Sequence, residues 1–253
     1  MSATAATAGD VQPGALQGRV ILVSGAHGGL GRASAIACAR AGATVVLLGR
    51  KVPKLNRVYD AIAKSDEGLP EPVNYPFDLE GASPDDHAEL ARRIEDGFGR
   101  LDGLLHCAAD FHGLTSLERS DPARFARAVH VNLTARAWLT QACLPLLRKA
   151  PDSAVVFVVD DPSRVGGAYW GGYGLAQHAN AALVGMLHAE LANSSVRVAA
   201  LQPGPMRTGL RAKAYAEDED PQARDPADYA EACVTLLSPT GAEHRGQVWS
   251  VRA

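Results

Sequence analysis

The sequence has no apolar run approaching the ~18 residues that cross a bilayer, no block of lysine and arginine, and only four cysteines in 253 residues. With a formal net charge of −3, the missing basic block argues against a nucleic-acid partner, and the missing apolar run against a membrane one. Cys38, Cys107, Cys143 and Cys233 fit neither a CxxC pair nor a disulfide framework, so they read as buried thiols of a reducing cytoplasm. No grouping of His, Cys and carboxylates has the spacing of a metal site. Residues 1–17 lack the basic segment and apolar core of a signal peptide. A frayed tail over 1–17 and one domain over 18–253 are expected, in a cytoplasmic protein.

What is present alternates. Arg19 to Ser24 is a largely apolar run, as a strand buried on both faces requires. It enters Gly25-Ala26-His27-Gly28-Gly29-Leu30-Gly31, then an alanine-rich helix that Gly42 stops, then the strand Thr44 to Leu48. This is a strand–turn–helix–strand unit. The same alternation predicts helices over 54–64, 85–98, 121–149, 172–191 and 225–237, and strands over 73–77, 101–107, 154–159, 196–201 and 247–251. The acidic Glu217–Asp220 reads as a solvated loop. The fold class that follows is α/β: a single-domain Rossmann fold, with a doubly wound parallel sheet of about seven strands and helices on both faces.

Gly25, Gly29 and Gly31 keep a G-x-x-x-G-x-G spacing between a strand and a helix. Such a turn lets the backbone approach a pyrophosphate, whose charge then meets the helix N-terminus; the alternative is a tight structural turn. The second strand ends Leu48-Gly49-Arg50-Lys51, basic and without a carboxylate. A carboxylate there would bind the ribose 2′-hydroxyl of NAD(H), whereas Arg50 and Lys51 suit a 2′-phosphate, so NADP(H) is expected in preference to NAD(H). The competing reading of the pair is a solvated loop.

These residues resemble the short-chain dehydrogenase/reductase superfamily, and the resemblance runs from Gly18 to the last strand. Ser24 to Gly31, with His27, Gly28 and Leu30 inside it, is similar to the TGxxxGxG loop, with Ser24 in place of threonine. Asp78-Leu79 is similar to the pair that contacts adenine. His106-Cys107-Ala108-Ala109 stands where the superfamily has NNAG. Pro203-Gly204-Pro205-Met206-Arg207-Thr208 resembles the PGxxxT loop that holds the nicotinamide amide and phosphates. Asn132 matches the asparagine of the catalytic tetrad and Tyr173 the tyrosine of YxxxK. The resemblance implies carbonyl/alcohol redox chemistry with a nicotinamide cofactor. It departs at two tetrad positions, where Gln177 replaces the lysine and Asp160 the serine, leaving a degenerate tetrad.

Those departures bear on proton transfer. Free tyrosine ionises near pH ~10, and an ammonium at ~4 Å with an effective dielectric of ~20 stabilises a phenolate by about 4 kcal/mol, on the order of three pH units. Gln177, one helical turn from Tyr173, supplies hydrogen bonds but no charge. An ionised Asp160 near Tyr173 pushes the phenol further up. Asp160 is expected either to pair with Arg164 or hydrogen-bond to loop amides, or to lie at the cleft floor near the nicotinamide. Ser163 replaces the missing serine only if residues 161–167 fold differently from the superfamily loop. His178, about 100° around the helix from Gln177, is expected to be structural. Asn132, without an ammonium to relay to, shapes its helix at a kink. Cys107 reads as a small strand residue, and Trp170, Tyr169 and Met206 either line a substrate pocket or pack in the core.

Two functions fit these residues. One is an NADP(H)-dependent oxidoreductase with altered acid–base groups, acting on a small molecule the sequence does not name. The other is a nucleotide-binding sensor or scaffold of the same fold without turnover. The resemblance also implies a homodimer or homotetramer through the helices over 121–149 and 172–191, the second carrying the small residues Ala176, Ala179, Ala181, Ala182 and Gly185.

Overall fold

Strand residues alternate between two cores, as the period of two dictates. In β1 (Val20–Ser24), Ile21 and Val23 enter one core while Val20 and Leu22 enter the other. The same division holds in β2 (Thr44–Gly49), with Val45 and Leu47 against Val46 and Leu48, and in β5 (Ser153–Val158), with Ala154 and Val156 against Val155 and Phe157. Burial on both sides requires helices on both faces. In the computed structural model, which describes residues 12, 14–65, 67–215 and 220–251, they are there. The helices α1 (Gly29–Arg40), α2 (Val52–Ala63) and α8 (Ala230–Leu237) cover the first core. The helices α3 (Pro84–Phe98), α5 (Ala135–Leu147) and α7 (Gly171–Glu190), the last preceded by the short α6 (Pro162–Val165), cover the second. The expected fold class is the one observed.

The remaining strands are β3 (Val73–Pro76), β4 (Gly103–His106), β6 (Val196–Pro203) and β7 (Val248–Val251), and all seven pair in parallel in the order β3-β2-β1-β4-β5-β6-β7. Strand order reverses direction between β1 and β4. Helices leaving the two strands on opposite faces open a crevice at their carboxyl ends, where ligands of such sheets bind. Register places Ser24 beside Leu48 on one side and His106 on the other, so the three strands end level at that crevice.

Two sequence expectations change. Gly14 to Gln17, assigned to a frayed tail, form a turn whose Leu16 is fully buried in the first core and donates its N–H to Ala41 O at 2.9 Å. The domain therefore begins before residue 18, because the apolar Leu16 has a core to enter. Residues 1–11 and 13 of that tail and residues 217–219 of the acidic loop lie outside the described residues. The single helix expected over 121–149 is α4 (Pro122–Val129), a π-helical segment His130–Thr134, and α5. Asn132 Nδ2 donates to Ala128 O at 2.7 Å, and Ala135 N–H reaches back five residues to His130 O. The side chain has taken a main-chain acceptor inside the helix, and the coil widens to accommodate it. Among the described residues no helix is long and apolar enough to cross a membrane.

Candidate active site

A cavity of about 470 Å³ occupies the crevice. Its floor is the turn between β1 and α1. Gly25 there has φ +68°, and a Cβ on it would stand 2.6 Å from Ala108 N, so only glycine lets the turn pack on the loop after β4. A Cβ on Gly31 would stand 2.2 Å from Gly25 O. Gly28 caps α1 without a side-chain hydrogen bond, and Gly29, Leu30 and Gly31 of the first turn line the cavity. An uncapped helix N-terminus whose amides face an open, glycine-lined space is suited to an anion such as a pyrophosphate.

One corner of the cavity is basic. Arg50, Lys51 and Lys54 line it with His27, whose ring would meet a Cβ placed on Gly49 at 2.9 Å. Burial, against a main-chain hydrogen bond and with help from these three cations, holds the His27 imidazole below its usual range. Arg50 is half exposed and sits 3.6 Å from Glu80. Asp78 and Leu79 form the facing wall, and Asp78 Oδ1 accepts from Glu80 N–H at 3.2 Å.

At the opposite end stand Tyr173 and Asp160. Packing of α7 over the ends of β4 and β5 buries Tyr173 to 5% exposure, with its ring against Phe111 and Trp170 at 5.1 and 5.9 Å between centroids. Its hydroxyl donates to Asp160 Oδ2 at 3.1 Å. Asp160 Oδ1 accepts from Asp161 N–H at 2.8 Å and from Arg164 at 2.5 Å. Gln177 Oε1, one turn along α7 from Tyr173, accepts the Asp160 N–H at 3.1 Å. Burial first, then the Asp160 charge and hydrogen bond, push the Tyr173 phenol well above its usual range, while Arg136 and Arg164 pull the other way. Asp160 pairs with Arg164 and lines the cavity.

Of the tetrad and cofactor-loop residues expected at the site, Asn132 and Ser24 do not reach this cavity. Asn132 is fully buried and spends its side chain on structure: Nδ2 donates to Asp110 O and Ala128 O, and Oδ1 accepts from Asp110 N–H. Its carbonyl, freed by the π turn, accepts from Asn180 Nδ2 at 2.8 Å. Ser24 is buried beneath the glycine turn, where its hydroxyl faces Ala108 N–H at 3.5 Å. Lining the cavity are Gly25, His27, Gly28, Gly29, Leu30, Gly31, Arg50, Lys51, Asp78, Leu79, Cys107, Ala108, Ala109, Asp160, Tyr173, Gln177, Pro203, Gly204, Met206 and Thr208. Cys107 is not a strand residue; it lies just past β4, and burial pushes its thiol well up. Met206 and Trp170 face the cavity, whereas Tyr169 is exposed at φ +78° outside it. Ser163 also lies outside, hydrogen-bonded to Asp161 Oδ1 at 2.7 Å. His178 is structural, its Nδ1 2.8 Å from Gly174 O. Among the described residues no group of three or more His, Cys, Asp or Glu could hold a metal.

Sequence reasoning missed Arg136. It is 1% exposed, lines the cavity, and donates to Val158 O at 2.9 Å and Ala108 O at 2.6 Å. The signal was present: residues 136, 139, 140, 143 and 147 form the buried stripe of α5, and one of them is an arginine. Lys54, Phe111 and Tyr215 were also missed; each depends on a loop or helix end whose direction the sequence does not encode.

Residues 19–219 match the model of the short chain dehydrogenase family. The chain is 33% identical over 237 residues to the uncharacterized oxidoreductase YciK of Escherichia coli (strain K12), covering 94% of this chain and 93% of that one. A short chain dehydrogenase structure from Salmonella enterica subsp. enterica serovar Typhi str. CT18 superposes with a TM-score of 0.91 at 34% identity, over 96% of this chain and 100% of the other. A structure from Escherichia coli CFT073, described as a short chain dehydrogenase complexed with NADPH, superposes with a TM-score of 0.90 at 33% identity, again over 96% and 100%.

Proposed function

Since the chain belongs to the short chain dehydrogenase family, we propose that it is an NADP(H)-dependent oxidoreductase interconverting an alcohol and its carbonyl compound, with Tyr173 and Asp160 moving the proton. The observation that carries this reading is the 3.1 Å hydrogen bond from Tyr173 to Asp160, in the same cavity as the glycine turn and the bare end of α1. The cofactor fits the residues present. The turn lines the cavity with Gly25, Gly28, Gly29 and Gly31 and the uncapped start of α1, and Arg50, Lys51 and Lys54 gather at the corner suited to a 2′-phosphate. Ala108, Ala109, Pro203, Gly204, Met206 and Thr208 would enclose the nicotinamide half, with Asp78 and Leu79 beside the adenine. When bound, the nicotinamide supplies or accepts the hydride.

The protein's part is the proton. Tyr173 already points its hydrogen at Asp160, so its oxygen has lone pairs free for a substrate hydroxyl. In alcohol oxidation the substrate O–H proton passes to Tyr173 Oη as the Tyr173 proton passes to Asp160 Oδ2, leaving a neutral carboxyl and an intact phenol. Carbonyl reduction runs the two transfers backward. Arg164 and the Asp161 N–H hold the carboxylate in place, and Gln177 fixes the main chain beneath it. This relay needs no free phenolate, which suits a phenol held well above its ordinary range.

The relatives' descriptions as oxidoreductase and dehydrogenase favour this reading over a scaffold without turnover. Trp170, Leu210, Met206 and Tyr215 give the substrate end an apolar, aromatic wall, which favours an apolar or aromatic carbonyl compound. The test is a screen of such carbonyls and alcohols with NADPH and NADP⁺, repeated in Tyr173→Phe and Asp160→Asn. Turnover falling by ~10²-fold or more in both is expected. A Tyr173→Phe variant as active as the parent would overturn the assignment.

A further inference from the structure

A buried arginine without a carboxylate is rare, because a cation removed from water is costly unless an opposite charge meets it. Arg136 is such a group: among the described residues no carboxylate lies within ion-pair distance, and its Nε has no hydrogen-bond partner. What holds it are two main-chain carbonyls, Val158 O at the end of β5 and Ala108 O just past β4. Those bonds fix the guanidinium across the gap between two strand ends, at the wall of the cavity that also contains Tyr173. Burial draws the guanidinium down to about 10, so it remains a cation at neutral pH.

The fold places this residue deliberately far from where its sequence neighbours alone would send it. The π segment inserts one extra residue between α4 and α5, and one residue turns everything after it by about 100°. A regular helix continued from α4 would direct position 136 away from the strand ends. Asn132, by forcing the π turn, therefore sets the direction of Arg136.

We infer that Arg136 is the positive charge that governs proton release by Tyr173, delivered from α5 across the cavity. This rests on the reading of Tyr173 as the proton-transfer group and adds the residue that tunes it. Around Tyr173 the charges are Asp160, which opposes loss of the phenol proton, Arg164, which is spent on Asp160 in an ion pair, and Arg136, which is not spent on any anion. Gln177, the polar group one turn along α7, carries no charge. Arg136 is thus the one cation whose field is not already cancelled at short range, and Tyr173 and Cys107 are the acidic groups that feel it. Arg136 touches the backbone and not the reacting atoms, so its role is to position charge.

The experiment needs neither substrate nor nucleotide. Tyrosines are replaced biosynthetically by a polyfluorinated tyrosine, chosen acidic enough that residue 173 ionises below pH ~9 where Arg136 keeps its charge, and the fluorine resonance of residue 173 is assigned by its loss in Tyr173→Phe. Its ionisation is then followed by NMR against pH in the parent chain, in Arg136→Lys, and in the neutral variants Arg136→Gln and Arg136→Met, each checked for a cooperative melt. The expected result is a midpoint about one pH unit or more higher, a tenfold or larger drop in the ionisation constant, in the neutral variants, with Arg136→Lys close to the parent. An unmoved midpoint in a folded neutral variant overturns the inference. So does failure of both neutral variants to fold while Arg136→Lys folds, since the residue is then a strut. If Tyr173→Phe retains turnover but the midpoint moves, the proposed relay falls and the electrostatic coupling stands.

Discussion

Replacing Arg50 by alanine should separate the two nicotinamide cofactors. A 2′-phosphate carries roughly −1.5 to −2 charges at neutral pH. At a contact separation of ~4 Å in a water-like medium each unit charge is worth about 1 kcal/mol to a cation, hence about 1.5–2 kcal/mol for Arg50. Arg50 is half exposed and shares Glu80 at 3.6 Å, a surface pair worth ~0–1 kcal/mol, so part of that gain is already offset in the free protein. A net loss of about 1.5 kcal/mol corresponds to about tenfold weaker NADPH binding. Lys51→Ala added to it should bring the loss to about a hundredfold if the two act independently. NADH lacks the phosphate, and its affinity should change by less than about twofold on the same estimate. Titration calorimetry with both nucleotides reads this directly. Repeating it at ~0.5 M salt should shrink the difference between parent and variant, because the corner is open to solvent and screened. Equal weakening of NADPH and NADH in Arg50→Ala would refute the reasoning, and would mean that Arg50 supports the loop rather than a phosphate.

Asn132→Ala removes the hydrogen bonds to Asp110 and Ala128 and leaves a buried N–H and two carbonyls unpaired; a loss of about 3 kcal/mol in the urea unfolding free energy is expected, and a loss below ~1 kcal/mol would show that the π segment forms without that side chain. Stability should also fall on the acid side. Burial, then the charges of Arg136 and His87, hold His106 well below its usual range. Its contribution is therefore complete above the unfolded value of ~6.5 and is lost as pH falls from there toward the folded value, because the unfolded chain takes up the proton first. Melting temperature should decline below pH ~6.5 more steeply in the parent than in His106→Gln; equal slopes would contradict the assignment of that proton uptake to His106.

Much of this molecule was legible because it is local. Apolar runs such as Val20–Val23 and Val45–Leu48 announce strands buried on both faces, and the parallel order follows from their alternation with helices. The spacing of Gly25, Gly29 and Gly31 marks a tight turn between strand and helix, although the atoms a Cβ would meet belong partly to the turn and partly to the distant Ala108, Thr208 and Pro226. Arg50 and Lys51 follow the second strand directly, so their place at the cavity corner is set by a few covalent bonds. Tyr173 and Gln177 share a helix face, and the structure keeps them there.

What the sequence left open depends on residues that are distant along the chain or on helix regularity itself. Asp160 meets Tyr173 and Arg164 together only because α7 packs over the loop that follows β5. A helical pattern over 121–149 contains nothing in its period that marks a π turn; the turn arises when Asn132 finds Asp110 and Ala128 at bonding distance. That extra residue directs Arg136 to the ends of β4 and β5. Sequence patterning determined the sheet, the glycine turn and the location of the tyrosine. Tertiary packing decided which charges surround it, since electrostatic coupling is set by distance in space and by the exclusion of water, and neither is written in the spacing of residues along the chain.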